Sequence, residues 1–390
     1  MVNRIKLGYD DIAIVPEQIT NIRHRKECFC YHTDTLKLPI FTAPMSNVVD
    51  AESAPIFLSN DINVVLPRTI PFIERIKIMM SSFDNQSKFT AFSLTEVQEL
   101  FINTFNDSNY DENLFLRVRH NLNSEYFIGS YNICIDIANG HMSELIETIK
   151  TIKLVHGEKV KIMSGNIANP KTYIEYERIG CDYVRCSIGS GSRCTTSSNT
   201  GIHYGCFSLL KEIWELKQSI NGKCKIIADG GIKGYGDIQK ALLYADYVMI
   251  GSLFNKAIDS AGKSTYGCSY WNIFGKRILN PFKTLFTYGK EIPKTEYDNV
   301  LKLTKKGKLD IWKEYYGMST KIAQRQIDSN AKIKTSEGKA ERQKVEYTIK
   351  QWIENEIDYL RSAMSYTNSR TLEDYKNSEW IQLTYKSYNN

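Results

Sequence analysis

One stretch carries the residue types that do chemistry: Ser187-Ile188-Gly189-Ser190-Gly191-Ser192-Arg193-Cys194-Thr195-Thr196. It follows the apolar run Tyr183-Val184-Arg185-Cys186, which reads as a short strand. A lone Cys on a glycine loop, beside Thr hydroxyls and free backbone N–H groups, is the usual display of a nucleophilic thiol. The plainer reading is a Gly/Ser connector with a buried structural Cys. Asp229-Gly230-Gly231 and Gly251-Ser252 each close a further apolar run. Loops of that kind hold phosphate through backbone N–H groups, and Ser252 adds a hydroxyl donor. Asp229 would repel phosphate but suits a ribose diol. Glu337 is the carboxylate best placed to work with Cys194 and Thr196, provided its polar segment folds over them. Taken alone it reads as a solvated loop charge.

Eight short runs must position these residues: 38–44, 62–67, 89–94, 132–137, 160–164, 183–187, 224–229 and 247–250. Most are near-continuously apolar, as parallel strands covered on both faces are. Helical stripes lie between them, such as Met142, Leu145, Ile146, Ile149 and Ile152, or Leu209, Ile213, Leu216 and Ile220. Asp237 reads as an N-cap. Eight strands alternating with helices is the count for a (β/α)₈ TIM barrel, an α/β fold, with an open doubly wound sheet as the rival. The barrel is favoured because the candidate residues follow several different strands, and one barrel mouth gathers such ends. Asp136 ends the fourth run, where a barrel carboxylate more often meets ligand than core. The reading is one barrel over 1–390, with an insertion at 253–312, a flap at 313–340 and a polar tail at 366–390. Val345, Ile349, Ile353, Ile357 and Leu360 mark the last barrel helix.

Composition narrows the class. The 390 residues are 42% hydrophobic and 24% charged, as a folded soluble chain is. A net charge of +6 favours small anions without calling for nucleic acid. Lys305-Lys306 reads as a solvated face, so nucleic acid is not an expected partner. No apolar run has membrane-span length, and the first residues lack a signal-peptide core. Nine Cys, an odd number with no C-x-x-C, point to reduced thiols and a cytoplasmic setting.

Over 6–252 and 313–370 the chain resembles the IMP dehydrogenase/GMP reductase family. The motifs are Leu7-Gly8-Tyr9-Asp10-Asp11, Ala43-Pro44-Met45, the loop from Gly189 through Cys194-Thr195-Thr196 with Thr200-Gly201, Asp229-Gly230-Gly231-Ile232, and Gly251-Ser252. Cys134 to Gly140, Tyr316-Gly317-Met318-Ser319 and Ser336-Glu337-Gly338-Lys339 are similar to the reductase branch. Residues 68–131 must hold strand three and its helix, which leaves too little for the tandem regulatory (CBS) modules of the dehydrogenase branch. That branch's water-activating Arg-Tyr pair is also missing between 313 and 345.

The resemblance implies NADPH-dependent reductive deamination of GMP to IMP and ammonia through a thioimidate on Cys194. Thr196 and Glu337 would handle the proton on ammonia. Asp229, Gly230, Gly231, Gly251 and Ser252 would hold ribose and phosphate. Gly317, Met318, Ser319, Lys334, Ser336 and Gly338 would lie along the nucleotide. Arg68, Asp136, Ile137, Ala138, Ser362 and Ser365 would contact NADPH. The carbonyls of Gly189, Gly191 and Cys194 would face potassium, and a homo-tetramer is implied. Departures from the pattern are Ser46-Asn47 after Met45, Arg193 in the loop, Ser197 and Lys334 where Arg is common, and the length of 253–312. The rival functions are oxidation of IMP to XMP with NAD, and a non-catalytic purine-nucleotide-binding barrel.

Overall fold

The computed structural model describes residues 5–33, 35–81, 86–102, 112–125, 129–192, 194–267, 270–273, 276–279, 297–305, 310–327 and 338–384. The eight apolar runs form eight parallel strands. They are β1 (Ile40–Thr42), β2 (Val64–Leu66), β3 (Lys88–Phe92), β4 (Tyr131–Asp136), β5 (Val160–Ile167), β6 (Tyr183–Cys186), β7 (Lys225–Asp229) and β8 (Tyr247–Ile250). They pair in the order β1-β8-β7-β6-β5-β4-β3-β2. The ring closes between β1 and β2: Thr42 donates its N–H to the Asn63 carbonyl (2.9 Å), and Asn63 donates to that of Ile40 (3.0 Å). The fold is therefore a closed (β/α)₈ barrel. Among the described residues, only the Phe72–Ser81 helix separates β2 from β3, so no regulatory module is inserted there.

Alternation along each strand divides the core in two. Phe41, Val65, Phe89, Cys134, Met163, Ile227, Tyr247 and Met249 fill the barrel interior, with Tyr183 packed against them. Aromatic rings plug it, Phe41 on Tyr247 at 4.9 Å and Phe89 on Tyr183 at 5.2 Å between centroids. Ile40, Val64, Ile133, Ile162, Val184, Ile226 and Val248 belong to the outer core beneath the helices. Burial on both faces is why the strands read as unbroken apolar runs.

Two helix expectations change in detail. The last barrel helix is Ile349–Tyr366, started by a Thr348 hydroxyl that accepts from the Gln351 N–H. Val345 lies before it, buried with Ile258, Leu301 and Ile311. Asp237 sits inside the Tyr235–Ala241 helix, where its carboxylate accepts from the Lys233 N–H; Gly234 holds the cap position.

Beyond β8 the chain builds an arm. Three antiparallel strands, β9 (Ser264–Gly267), β10 (Asp310–Tyr316) and β11 (Ala340–Lys344), lie in that order. The segment read as an aperiodic insertion thus supplies β9. The segment read as a polar flap supplies most of β10, whose Trp312–Tyr316 stretch pairs with β11. Described residues of the 366–390 tail also pack on the barrel. Tyr375 is fully buried, Lys376 pairs with Asp246 at 2.8 Å, and Trp380–Gln382 pairs with Ile12–Ile14. Apolar anchors at Tyr375 and Trp380 outweigh the polar composition of that stretch.

Candidate active site

At the mouth where the strands end lies a cavity of about 310 Å³. The loops after β4, β6 and β7 bring Asp136, Ile137, Ala138, Gly189, Gly191, Cys194, Thr196, Asp229 and Gly230 to its lining. The loop after β2 adds Arg68, and the arm adds Gly317, Met318 and Ser319. Residues far apart in the chain thus meet as the barrel reading requires.

Cys194 differs from the other cysteines. Seven of the eight described Cys are buried, whereas Cys194 is partly exposed at the cavity. Burial pushes the Cys134 thiol up to about 12 and that of Cys30 up to about 11, which leaves both inert as nucleophiles. The Cys194 thiol donates to the Thr196 hydroxyl at 3.2 Å. Its backbone forms an antiparallel bridge with Gly338, so the arm reaches the Cys194 loop. That loop curls tightly because Gly189 takes φ +75°, and a Cβ there would stand 2.7 Å from the Ser197 Cβ.

Three charged side chains form the cavity's floor, and each occupies the last inward position of its strand. Asp136 lies two residues beyond Cys134, Arg185 two beyond Tyr183, and Asp229 two beyond Ile227. Arg185 is buried. It donates Nη1 to Asp136 Oδ1 at 2.8 Å and Nε to Asp229 Oδ2 at 2.9 Å. Asp136 Oδ2 also accepts from Arg68 Nε at 3.2 Å, and Asp229 Oδ2 from Asn166 Nδ2 at 2.8 Å. Burial alone would push Asp136 up. Arg185 and Arg68 outweigh it, so its carboxyl sits below the usual range. Asp229 Oδ1 has no hydrogen-bond partner among the described residues, on a side chain that lines the cavity.

The remaining expected residues divide. Gly251 lies where a Cβ would stand 2.7 Å from the Tyr315 hydroxyl, so only glycine lets that ring approach. Ser252 opens the short helix that follows. Gly231 lines a second cavity, of about 510 Å³, behind the loop with Tyr9, Ser190 and Cys206. The structure does not bring Ser362 and Ser365 to the mouth. They lie near the end of the Ile349–Tyr366 helix, where Ser362 accepts from Arg25 (3.4 Å) and the Ser365 carbonyl accepts from Thr20 (3.0 Å). That helix runs back toward the strand starts, as the Lys376–Asp246 pair just before β8 shows. Lys334, Ser336 and Glu337 lie outside the described residues. The Gly189 carbonyl accepts from the Ser197 hydroxyl (3.1 Å) and the Gly191 carbonyl from the Cys194 N–H (2.9 Å). Each of these two carbonyls keeps a second lone pair beyond the bond it makes within the loop. Among the described residues, no cluster of His, Cys, Asp or Glu could hold a metal ion, and no helix is long and apolar enough to cross a membrane.

Sequence reasoning missed Arg185 and Tyr315 as parts of the site. A charge inside an apolar strand was the available signal for Arg185, because a buried guanidinium needs carboxylate partners.

The fold and the mouth define a barrel with a partly exposed cysteine facing a carboxylate-floored cavity. The family model described as IMP dehydrogenase / GMP reductase domain matches residues 126–279. A GMP reductase of Streptococcus pneumoniae (strain JJA) is 31% identical over 310 residues, covering 73% of this chain and 85% of the relative. One from Mycoplasma mycoides subsp. mycoides SC is 26% identical over 380 residues, covering 96% and 97%. One from Buchnera aphidicola subsp. Schizaphis graminum is 32% identical over 261 residues, covering 64% and 68%. The chain belongs to the IMP dehydrogenase/GMP reductase family and is an oxidoreductase.

Proposed function

We propose that this protein is a GMP reductase, converting GMP to IMP and ammonia with NADPH. The observation that carries the reading is Cys194, the one described cysteine that is not buried, on a cavity shared with Thr196 and Asp229. Asp229 Oδ1 accepts the ribose diol. Gly230, Gly231, Gly251 and Ser252 offer backbone and hydroxyl donors to the phosphate. The Tyr315 hydroxyl, beside Gly251, adds a donor there. Gly317, Met318 and Ser319 lie along the purine, with Lys334, Ser336 and Gly338 from the rest of the arm.

The Cys194 sulfur adds to C2 of the guanine ring. The amino group takes up a proton through Thr196 and Glu337 and leaves as ammonia, which gives a thioimidate on Cys194. After reduction at C2, the C–S bond breaks and the thiolate departs from IMP. Dividing the displacement into covalent steps makes the aromatic C2–N bond breakable. NADPH supplies the hydride when bound. Arg68 and Asp136, an ion pair at one side of the cavity, would meet its polar groups, with Ile137 and Ala138 beside them. Potassium, when bound, would be held by the carbonyls of Gly189, Gly191 and Cys194 and would steady the loop that carries the thiol. The tetramer implied by the resemblance belongs to this reading and is checked by light scattering.

The test is absorbance at 340 nm with GMP and NADPH. Loss of signal that requires GMP and disappears in Cys194→Ser supports the reading. No loss, with signal gained from IMP and NAD, would replace it with the opposite oxidation. GMP binding without turnover in either direction would leave a non-catalytic barrel.

A further inference from the structure

Arg185 belongs to neither ligand subsite alone. Its guanidinium joins the carboxylate that faces the ribose to the carboxylate on the cofactor side. The two pairs, Nη1 to Asp136 Oδ1 at 2.8 Å and Nη2 to Asp229 Oδ2 at 2.9 Å, use different edges of one planar group. That group is rigid, so rotating one carboxylate moves the donors that hold the other. The surroundings leave little slack. Arg185 is 7% exposed, Asn166 grips Asp229 from the β5 side, and Arg68 grips Asp136 from the β2 loop. The chain Asn166–Asp229–Arg185–Asp136–Arg68 is continuous across the cavity floor, and every link is a hydrogen bond.

We propose that Arg185 is a positioning residue that couples nucleotide binding at Asp229 to cofactor binding at Asp136. The inference rests on the GMP reductase reading. A ribose diol on Asp229 Oδ1 draws charge from Oδ2 and fixes the carboxylate plane. The guanidinium then settles in the orientation that presents Asp136 to the cofactor. Coupling between two sites is reciprocal, so each ligand tightens the other by the same factor. A Lys at 185 keeps the charge but loses the fork, and a single ammonium serves one carboxylate well rather than two.

The experiment is calorimetric titration of the full chain with NADP⁺, with and without saturating GMP; NADP⁺ carries no hydride, so this pair of ligands cannot complete the reduction. The wild type is expected to bind NADP⁺ about tenfold tighter with GMP present, within the ordinary range of site–site coupling. Arg185→Lys is expected to bind each ligand separately while the coupling factor falls to near one. Arg185→Gln is a second route that leaves both carboxylates and the Asn166–Asp229 link in place. It should also bring the coupling factor to near one, and it decides the matter where Arg185→Lys does not fold. Coupling that survives in either folded variant, or a wild type that binds both ligands independently, overturns the proposal while leaving the reductase reading in place. A wild type that binds no GMP overturns that reading and this one with it.

Discussion

The barrel mouth and the arm each bury one cation on a strand, and they treat it differently. In the mouth, Arg185 meets two carboxylates, Asp136 and Asp229. In the arm, Lys313 of β10 is 1% exposed and meets only neutral oxygens. Its ammonium donates to the carbonyls of Ala257 (2.8 Å), Ser260 (2.6 Å) and Ala261 (3.4 Å) and to the Ser260 hydroxyl (3.0 Å). Burial opposes the Arg185 charge, but Asp229 and Asp136 more than offset it, so the guanidinium is held well above its usual range. Burial also opposes the Lys313 charge. Asp259 and Asp50 offset only part of that, and the ammonium is brought down to about 7. The mouth therefore has a permanent charge, while the arm has one that titrates near neutrality. A planar fork suits a carboxylate pair that must stay oriented; a point charge suits a turn that must be gathered.

The largest effect follows from breaking the mouth's charge balance. Arg185→Met strands two carboxylates on the cavity floor without their shared partner. Removing one member of a buried ion pair costs about 3–5 kcal/mol. Urea unfolding should show a midpoint lowered accordingly, and GMP binding should weaken as Asp229 loses its orientation. A loss below about 1 kcal/mol would mean that water replaces the guanidinium and that the floor is wetter than the geometry indicates.

Lys313→Met should cost less. It also removes the price of burying a charge, and what remains is a set of carbonyls without a donor, at about 1–3 kcal/mol for an unsatisfied buried group. The loss should fall on the arm, because those carbonyls belong to the 257–261 turn between the barrel and β9. Hydrogen exchange is the discriminating measurement. Amides of β9, β10 and β11 should exchange faster in Lys313→Met, with those of β4 to β7 unchanged, whereas Arg185→Met should do the reverse.

The two regions were also unequally legible. Most barrel strands are visible as apolar runs, because a parallel strand covered on both faces admits few polar residues. The Cys194 loop is visible because Gly, Ser, Thr and one Cys are concentrated in it. The floor is harder to see. Arg185 lies inside an apolar run, and only a period-two count from Tyr183, matched against Cys134 to Asp136 and Ile227 to Asp229, shows that three inward positions carry charge. The arm is harder still. Ser264–Gly267 pairs with Asp310–Lys313 across a long intervening segment, and such non-local pairing leaves no periodic trace in either strand. Lys313 itself counts in composition as one more surface lysine. Ser362 and Ser365 illustrate a third limit, since helical spacing does not say which end of a barrel a helix tip reaches.

The smallest predicted effect sharpens the contrast most. The usual Lys value is 10.5, and the folded value for Lys313 is about 7. Between those two values the unfolded chain binds the proton that the native arm has released. Stability then rises with pH, because the state that binds more protons is the unfolded one. Well below pH 7 both states are protonated and the cost of burying the ammonium is carried in full. For one group the slope cannot exceed about 1.4 kcal/mol per pH unit, and it is shallower near pH 7, where the native group is only half deprotonated. Thermal unfolding of wild type and Lys313→Met at pH 7, 8 and 9 isolates this contribution, because every other titrating group is common to both proteins. The difference between them should widen in favour of the wild type as pH rises. A constant difference would mean that the carbonyl cage keeps the ammonium charged through pH 9. Lys313 would then match Arg185 as a permanent charge, held by dipoles instead of carboxylates.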